Sequence, residues 1–369
     1  MEELHRPLTP LDELYLQRAY ELAARGIGST SPNPPVGAVV VRANRIVGEG
    51  YHRRAGDAHA EANALRQAAR EARGATLYVS LEPCRHVGRT PPCAQAVVEA
   101  GVVRVVAGTL DPTLHGGAAE LRERGVEVAV AHDQVARDLI EPFARAGTLQ
   151  RPYVALKMAM SLDGAIGSRP GVEQRLTSEE ARNYVRDLRV AYDAVMVGAG
   201  TVRVDDPQVT VRPAHHRLRP YVRVVLCQTE GVSARSRIFG IEEGYARSVV
   251  LAPSGLANRL DELRGVADVI GVGQPGNLRL DLPQALEALR ERGIYSVLCE
   301  GGPTLAARLI AARQVDRFYW AIAPLFMQSA SAVPVLARGD LIRDDVPLKF
   351  DRIERTGKDI MLSGTFANV

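Results

Sequence analysis

The chain has 369 residues, enough for two domains, and its 46% apolar and 24% charged residues are the balance of an ordinary folded protein rather than a disordered one. No run approaches the roughly 18 apolar residues of a membrane helix, and the N-terminus, Met1-Glu2-Glu3-Leu4-His5-Arg6, lacks a basic-then-apolar signal pattern, so a cytoplasmic protein without a membrane partner is expected. The formal net charge of +3 is small and the positive charge is almost wholly scattered arginine, which argues against a nucleic-acid partner while leaving room for local phosphate sites.

Taken in order, the elements alternate. Thr9 caps a helix that Pro10 opens and Gly26 closes. Val36 to Val41 reads as a strand, Asp57 as the cap of an alanine-rich helix stopping at Gly74, and Ala75 to Ser80 as a short strand. Pro91-Pro92 opens a helix ending near Gly101; the strand Val102 to Ala107, a helix to Gly125 and the strand Val126 to Val130 follow. Such alternation predicts an α/β sheet with helices on its faces. Thr148 to Pro152 is the candidate linker, dividing the chain into 1–148 and 152–369. Beyond it Tyr153 to Met160 is a strand, and Thr177-Ser178-Glu179-Glu180 resembles a capping box before a helix to Tyr192. Strands are expected at Ala194 to Val197, Val222 to Leu226 and Ile294 to Cys299, helices at Pro283 to Arg292 and Pro303 to Arg313, and a strand-rich end from Phe318.

The chemistry concentrates in His59-Ala60-Glu61, Glu82-Pro83-Cys84 and Cys93. Residues two apart diverge by about 200° around a helix, so His59 and Glu61 can serve one site only at a helix end. His59, Cys84 and Cys93 together form a three-ligand zinc set with one open position, the pattern of catalytic rather than structural zinc. In this reading Glu61 is no ligand but moves protons between a zinc-activated water and a leaving amine. A closed four-ligand site would need one more donor, for which His86 is the candidate. For the four cysteines, Cys84, Cys93, Cys227 and Cys299, metal binding or plain burial is expected rather than a disulfide framework.

These segments, with Pro32 to Gly37, Gly48-Glu49-Gly50-Tyr51-His52 and the Arg89-Thr90-Pro91-Pro92 insert before Cys93, resemble the bifunctional riboflavin-biosynthesis deaminase/reductase family. The resemblance continues through Lys157, Ser161-Leu162-Asp163-Gly164, Gly198-Ala199-Gly200-Thr201, Asp205-Asp206-Pro207 and Glu300 to Leu305. It implies a cytidine-deaminase-like three-layer domain followed by a dihydrofolate-reductase-like α/β domain. It implies Zn2+ and NADPH as cofactors and a small phosphorylated pyrimidine as substrate. That substrate, 2,5-diamino-6-(5-phosphoribosylamino)pyrimidin-4(3H)-one, is deaminated, and its ribosyl group is then reduced to ribityl. A homo-oligomer, dimer or tetramer, is also implied.

By the same resemblance Asn33 and His52 hold the pyrimidine. Ala159, Thr201, Asp205, Gly302, Pro303, Thr304 and Leu305 contact NADPH, and Lys157, Arg189, Arg212 and Glu300 face the reductase substrate, the arginines suiting its phosphate. From the residues alone, the turn Gly301-Gly302-Pro303-Thr304 into a helix suits a pyrophosphate, while no G-x-G-x-x-G follows the first strand of this half. The chain departs from the family pattern at Arg85, Thr113-Leu114, Arg175, Cys227 and Leu325 to Ser329. A second reading therefore stays open: a zinc deaminase for a related pyrimidine, its reductase domain impaired or repurposed, releasing ammonia without oxidising NADPH.

Overall fold

The computed structural model describes residues 8–86, 91–113, 116–172, 174–211, 217–229, 231–241, 243–337 and 345–367. The chain divides into two compact units, Met1–Thr148 and Leu149–Val369. Among the described residues no helix is long and apolar enough to cross a membrane.

The first unit runs α1 (Pro10–Ala24), β1 (Gly37–Arg42), β2 (Arg45–Tyr51), α2 (Ala60–Ala68), β3 (Thr76–Leu81), α3 (Cys93–Glu99), β4 (Arg104–Thr109), α4 (Ala118–Glu123), β5 (Glu127–Val130) and α5 (Gln134–Thr148). Its five-stranded sheet has the order β2-β1-β3-β4-β5, antiparallel at the β2-β1-β3 end and parallel from β3 to β5. Strands buried on both faces need apolar residues at every position, and β1 supplies them. Ala38 and Val40 pack with α2, α3 and α4, while Val39 and Val41 pack with Tyr15, Leu16 and Ala19 of α1 and Ala136 of α5. The result is a three-layer helix–sheet–helix unit.

The helix starts are where the sequence acts most locally. Thr9 and Asp12 close a reciprocal capping box: Asp12 N–H donates to Thr9 Oγ1 at 3.2 Å, and Thr9 N–H donates to Asp12 Oδ2 at 2.9 Å. Asp12 also accepts from Tyr78 Oη and Arg104 Nη1, both at 2.7 Å. These donors outweigh burial and hold its carboxyl well below the usual range.

The cap expected at Asp57 lies instead at His59, whose backbone is extended (φ −67°, ψ 164°) and whose side chain caps nothing. Asp57 accepts from Arg54 Nε at 3.2 Å, and the helix starts two residues later, which leaves the His59 ring free to face the cysteines. This helix also ends before Gly74: it stops at Ala68, Ala69 turns to φ +48°, and a single 3-10 turn follows.

Gly48 and Gly50 of β2 explain how closely α2 lies on the sheet. A Cβ on Gly50 would sit 2.4 Å from the Ala60 carbonyl oxygen, and one on Gly48 would sit 2.2 Å from that of Ala64. Gly50→Ala must therefore push the start of α2 outward. We expect a loss of about 1–3 kcal/mol, the usual cost of overpacking a close-packed contact, read as a lower urea midpoint for the first unit.

The second unit contains β6 (Tyr153–Ser161), β7 (Ala165–Gly167), α6 (Glu179–Ala191), β8 (Ala194–Gly198), α7 (Ala199–Asp205), β9 (Val222–Leu226), β10 (Ser248–Pro253), α8 (Ser254–Ala257), α9 (Asp261–Arg264), β11 (Ala267–Val272), α10 (Leu282–Glu291), β12 (Ser296–Cys299), α11 (Pro303–Ala311), β13 (Arg317–Ala323), β14 (Val333–Pro334), β15 (Leu348–Thr356) and β16 (Asp359–Phe366). Its nine-stranded sheet has the order β11-β10-β9-β8-β12-β6-β13-β16-β15, parallel from β11 to β13 and antiparallel thereafter. Alternate residues again build two cores. Met196, Val224 and Val297 meet α10 and α11, while Val195, Val225 and Val250 meet α7, α8 and α9.

The capping box expected at Thr177 is realised differently. Ser178 is the cap, accepting from Ala181 N–H at 3.3 Å, and the reciprocal acid comes from β16. Asp359 Oδ2 takes the Ser178 N–H at 2.7 Å and the Ser178 hydroxyl at 2.6 Å. Because a tertiary contact satisfies the helix start, Glu180 is not needed for it.

Candidate active sites

In the first unit the connections at one end of the sheet carry the chemistry. Cys84 follows β3, Cys93 opens α3 after the Pro92 cap, and His59 caps α2. The two thiols and the ring converge: His59 Nδ1 lies 3.6 Å from Cys84 Sγ and 3.3 Å from Cys93 Sγ. Among the described residues these three form the group able to hold a metal, with all ligand atoms within 4.8 Å of one another. Tetrahedral zinc with bonds of about 2.0–2.3 Å requires ligand separations of roughly 3.3–3.8 Å, so the donor set fits zinc in chemistry and spacing. His86 lies outside this group, exposed on the cavity wall, so the closed four-ligand arrangement does not form.

The two cysteines act as a coupled pair. Cys84 accepts from the Cys93 thiol, from His59 and from the Cys93 backbone N–H at 3.5 Å, which pulls its pKa down to about 4 against burial. That thiolate and burial push Cys93 the other way. The N-terminal ends of α2 and α3 add favourable dipoles for negative sulfur.

Glu61, only 3% exposed, sits beside them in the first turn of α2. Burial and then the Cys84 charge push its carboxyl up to about 7, with the His59 charge opposing. Bound zinc adds a positive charge that opposes this shift.

A cavity of about 360 Å³ opens onto this cluster, and Asn33, His52, Glu82, Asp111 and Phe143 line it with His59 and Glu61. The hydrogen bonds fix the orientation of the first two. His52 Nδ1 lies 3.2 Å from the Ala58 carbonyl, which can only accept, so Nδ1 carries the proton. Nε2 must then accept, and the Asn33 amide nitrogen donates to it at 3.0 Å. Burial lowers the His52 pKa, in keeping with a neutral ring. The Asn33 side chain is thereby held in one orientation at the cavity wall.

Glu82, expected as part of the cysteine motif, is a brace. Its carboxylate accepts from Asp111 N–H at 2.8 Å and from Ala118 N–H at 3.1 Å, joining the Asp111 loop to the start of α4. Asp111 and Phe143 were not foreseen as cavity residues. The Asp111-Pro112 pair offered a weak turn signal, whereas Phe143 lies on a helix interrupted in sequence by Pro142. Arg85 is exposed, and residues 87–90, which include Arg89 and Thr90 of the insert, lie outside the described residues.

In the second unit two glycine turns lie at the C-terminal ends of neighbouring parallel strands, β8 and β12, where α/β sheets place ligands. The turns touch: a Cβ on Gly302 would lie 3.6 Å from Thr201 Oγ1, and one on Gly198 would lie 3.8 Å from Leu305 Cδ2. They border a cavity of about 560 Å³ whose wall includes Thr201, Asp205, Gly302, Pro303, Thr304 and Leu305. Ala159 lies elsewhere. It lines a second cavity of about 410 Å³ with Lys157, Arg189 and Glu300, and the two cavities share Ile166 and Gln174. A long groove of glycine turns and the N-terminus of α11 suits a dinucleotide pyrophosphate, so the residues fit NADPH.

Arg189 lines the second cavity, but its fork is not turned to a ligand. Nε and Nη2 donate to the two Glu300 oxygens at 2.5 and 2.9 Å, and Nη1 donates to the Thr210 carbonyl at 2.8 Å. A buried carboxylate needs a partner, and Arg189 is the one in reach. The phosphate expected at Arg189 therefore meets a fork already engaged. Arg175, Arg182, Arg186 and Arg237 also line this cavity, and Arg212 lies outside the described residues.

Burial would raise the Glu300 pKa, but Arg189 and then Lys157 outweigh it and hold it low. Burial lowers the Lys157 pKa, with Glu300 opposing and Arg189 adding to the effect. Asp163 and Asp206 shape turns: the first accepts from the backbone N–H groups of Met327 and Gln328, the second from that of Arg237.

Comparison with known proteins follows this division. The RibD C-terminal domain model matches residues 152–362, and the cytidine and deoxycytidylate deaminase zinc-binding region model matches residues 9–109. The riboflavin biosynthesis protein RibD of Aquifex aeolicus is 38% identical over 360 residues, 95% of this chain and 98% of that one. That of Escherichia coli is 37% identical over 371 residues, with the same coverage. The solved structure of Acinetobacter baumannii RibD superposes with a TM-score of 0.80 at 33% identity, covering 97% of this chain and 99% of that one. A Thermotoga maritima structure described as a diaminohydroxyphosphoribosylaminopyrimidine deaminase/5-amino-6-(5-phosphoribosylamino)uracil reductase gives the same values.

Proposed function

The chain belongs to the RibD family, the zinc- and NADPH-dependent bifunctional deaminase/reductases of riboflavin biosynthesis, and on that footing we propose which of its residues perform each step. The observation that carries the first step is the three-donor cluster of His59, Cys84 and Cys93 beside the buried carboxyl of Glu61, at the wall of a cavity.

His59, Cys84 and Cys93 hold the zinc, which when bound lowers the pKa of a water toward about 7. Asn33, fixed by His52, presents its amide to the pyrimidine edge and orients the amine-bearing carbon. Glu61 takes a proton from the attacking water and delivers it to the departing nitrogen, so that water and the amine become a carbonyl and ammonia. The first unit is the deaminase domain.

The second unit is the reductase domain. Thr201, Asp205 and the Gly302-to-Leu305 turn line the NADPH groove, and Lys157, Arg189 and Glu300 line the adjoining substrate cavity with Ala159 at its wall. NADPH supplies the hydride that converts the ribosyl carbon to the ribityl alcohol level. Lys157, whose lowered pKa eases release of a proton, is the group we assign to protonate the substrate oxygen freed in that step. A cytoplasmic location and self-association belong to the same proposal and rest on the family rather than on any contact in this chain.

The test supplies 2,5-diamino-6-(5-phosphoribosylamino)pyrimidin-4(3H)-one and follows ammonia and NADPH together. Both should change, ammonia first. Removing zinc with a chelator should abolish ammonia release yet leave oxidation of NADPH by the deaminated compound intact. Ammonia without NADPH loss would overturn the reductase assignment, and ammonia release surviving zinc removal would overturn the deaminase mechanism.

A further inference from the structure

The groove at the glycine turns has two distinguishable ends. It meets the substrate cavity at Ile166 and Gln174. Hydride transfer requires contact between nicotinamide and substrate, so a bound nicotinamide would lie at that junction. Sheet order runs β9-β8-β12-β6, with Lys157 and Ala159 on β6 and the glycine turns after β8 and β12. The adenosine end of a bound dinucleotide would thus run toward the end of β9, where Leu226, Gln228 and Thr229 line the wall.

Two arginines that line this groove converge on the segment after β9 from opposite sides. From α11, Arg308 donates to Gln228 Oε1 at 3.3 Å and to the Leu280 carbonyl at 2.7 Å. From α7, Arg203 reaches the following turn, its Cδ 3.8 Å from where a Gly231 Cβ would stand. Gln228 is itself held, accepting from Leu280 N–H at 2.9 Å and donating to the Leu278 carbonyl at 2.8 Å.

An adenosine ribose with a free 2′-hydroxyl is commonly met by a carboxylate. Here β9 is followed by Cys227, which is fully buried, and the acid lining the groove among the described residues is Asp205 at the end of α7. Burial and then the Arg279 charge lower the Arg308 pKa, with Asp281 opposing. An anion placed beside Arg308 favours its charged form.

We propose that Arg203 and Arg308 read the 2′-phosphate of the dinucleotide and so make this chain select NADPH over NADH. The inference rests on the reductase reading of the groove and adds to it the residues that discriminate. Charge-assisted contacts from an arginine to a phosphate are each worth about tenfold or more in affinity.

The test titrates the full-length, zinc-loaded protein with NADPH and with NADH by dihydronicotinamide fluorescence, and with 2′,5′-ADP and 5′-AMP by displacement. The parent should favour NADPH by about 100-fold. Arg203→Gln and Arg308→Gln should each weaken NADPH and 2′,5′-ADP about tenfold while NADH and 5′-AMP stay within about twofold. Because Arg308 also ties Gln228 and Leu280, Arg203→Gln is the variant that leaves those ties intact. Equal weakening of both dinucleotides in Arg203→Gln, or no weakening of NADPH in either variant, would overturn the proposal. Gly302→Val checks the groove separately: it should weaken NADPH and NADH alike. If it weakens neither, the reductase reading of the groove fails, whatever the arginines do.

Discussion

Glu61→Gln should lower ammonia release by about 10³-fold, equivalent to roughly 4 kcal/mol of lost transition-state stabilisation, while the protein keeps its zinc. Glutamine matches glutamate in size and fills the same buried space, so α2 and the cavity wall keep their positions. What is lost is the capacity to accept and return a proton. Glu61 is not among the three metal donors, so zinc content by atomic absorption should stay at parent level. Oxidation of NADPH by the already deaminated compound should also be unchanged. Ammonia release above about a tenth of the parent rate, with zinc retained, would sink the assignment of Glu61.

The site was legible because its signals are local and chemically rare. A histidine and a carboxylate two apart can share a site only at a helix end, and α2 does begin at Ala60. The capping residue was misplaced by two positions because an aspartate is the commoner cap, whereas here the backbone at His59 starts the helix and its side chain is reserved for the cysteines. The apolar strands buried on both faces were readable for the same reason in each half: β1, β3, β8 and β12 have no polar face to conceal their run.

What escaped was set by partners distant in sequence. β2, with Gly48 and Gly50 in its middle, looks like a loop until α2 is laid against it. Helix α5 carries Pro142 and so reads as interrupted, although it supplies Phe143 to the cavity. The acid that completes the start of α6 comes from Asp359 on β16, 181 residues downstream of Ser178, and no local pattern announces it. The same holds for Arg189. Its helix position suggested a group waiting for phosphate, and only the fold reveals that Glu300, 111 residues away, occupies its fork.

That pair gives the second large expectation. Glu300→Gln leaves Arg189 and Lys157 facing each other in a largely buried place without a counter-charge; the Arg189 and Glu300 side chains are 16% and 12% exposed. Breaking a buried ion pair from one side costs about 3–5 kcal/mol. In a unit of this size that is a fall of about 6–20 °C in its melting transition. NADPH oxidation should fall with it at temperatures where the variant is folded, because the cavity wall that Arg189 and Thr210 form loses its anchor, while ammonia release persists.

The pH dependence has a definite sign. The Glu300 pKa is held below its ordinary value near 4.5, so its stabilisation is complete above that value and disappears as pH falls through the depressed one. The parent should therefore lose stability on the acid side of about pH 4.5, and Glu300→Gln should lack that limb. Lys157 gives a slope of the same sign in a higher pH range. Its lowered pKa means the charged form is disfavoured in the folded chain, and without Glu300 that penalty deepens, so the variant should gain stability as pH rises toward the lysine range.

Pairing Glu300→Gln with Arg189→Met separates the two roles of the pair. Removing both charges should restore much of the melting temperature, as replacing a whole buried pair often does, yet should leave NADPH oxidation low because neither group remains at the substrate cavity. A double variant that recovers stability and reduction together would show the pair to be only a brace. A Glu300→Gln protein melting within about 1 °C of the parent would show that the pair does not hold this cavity at all.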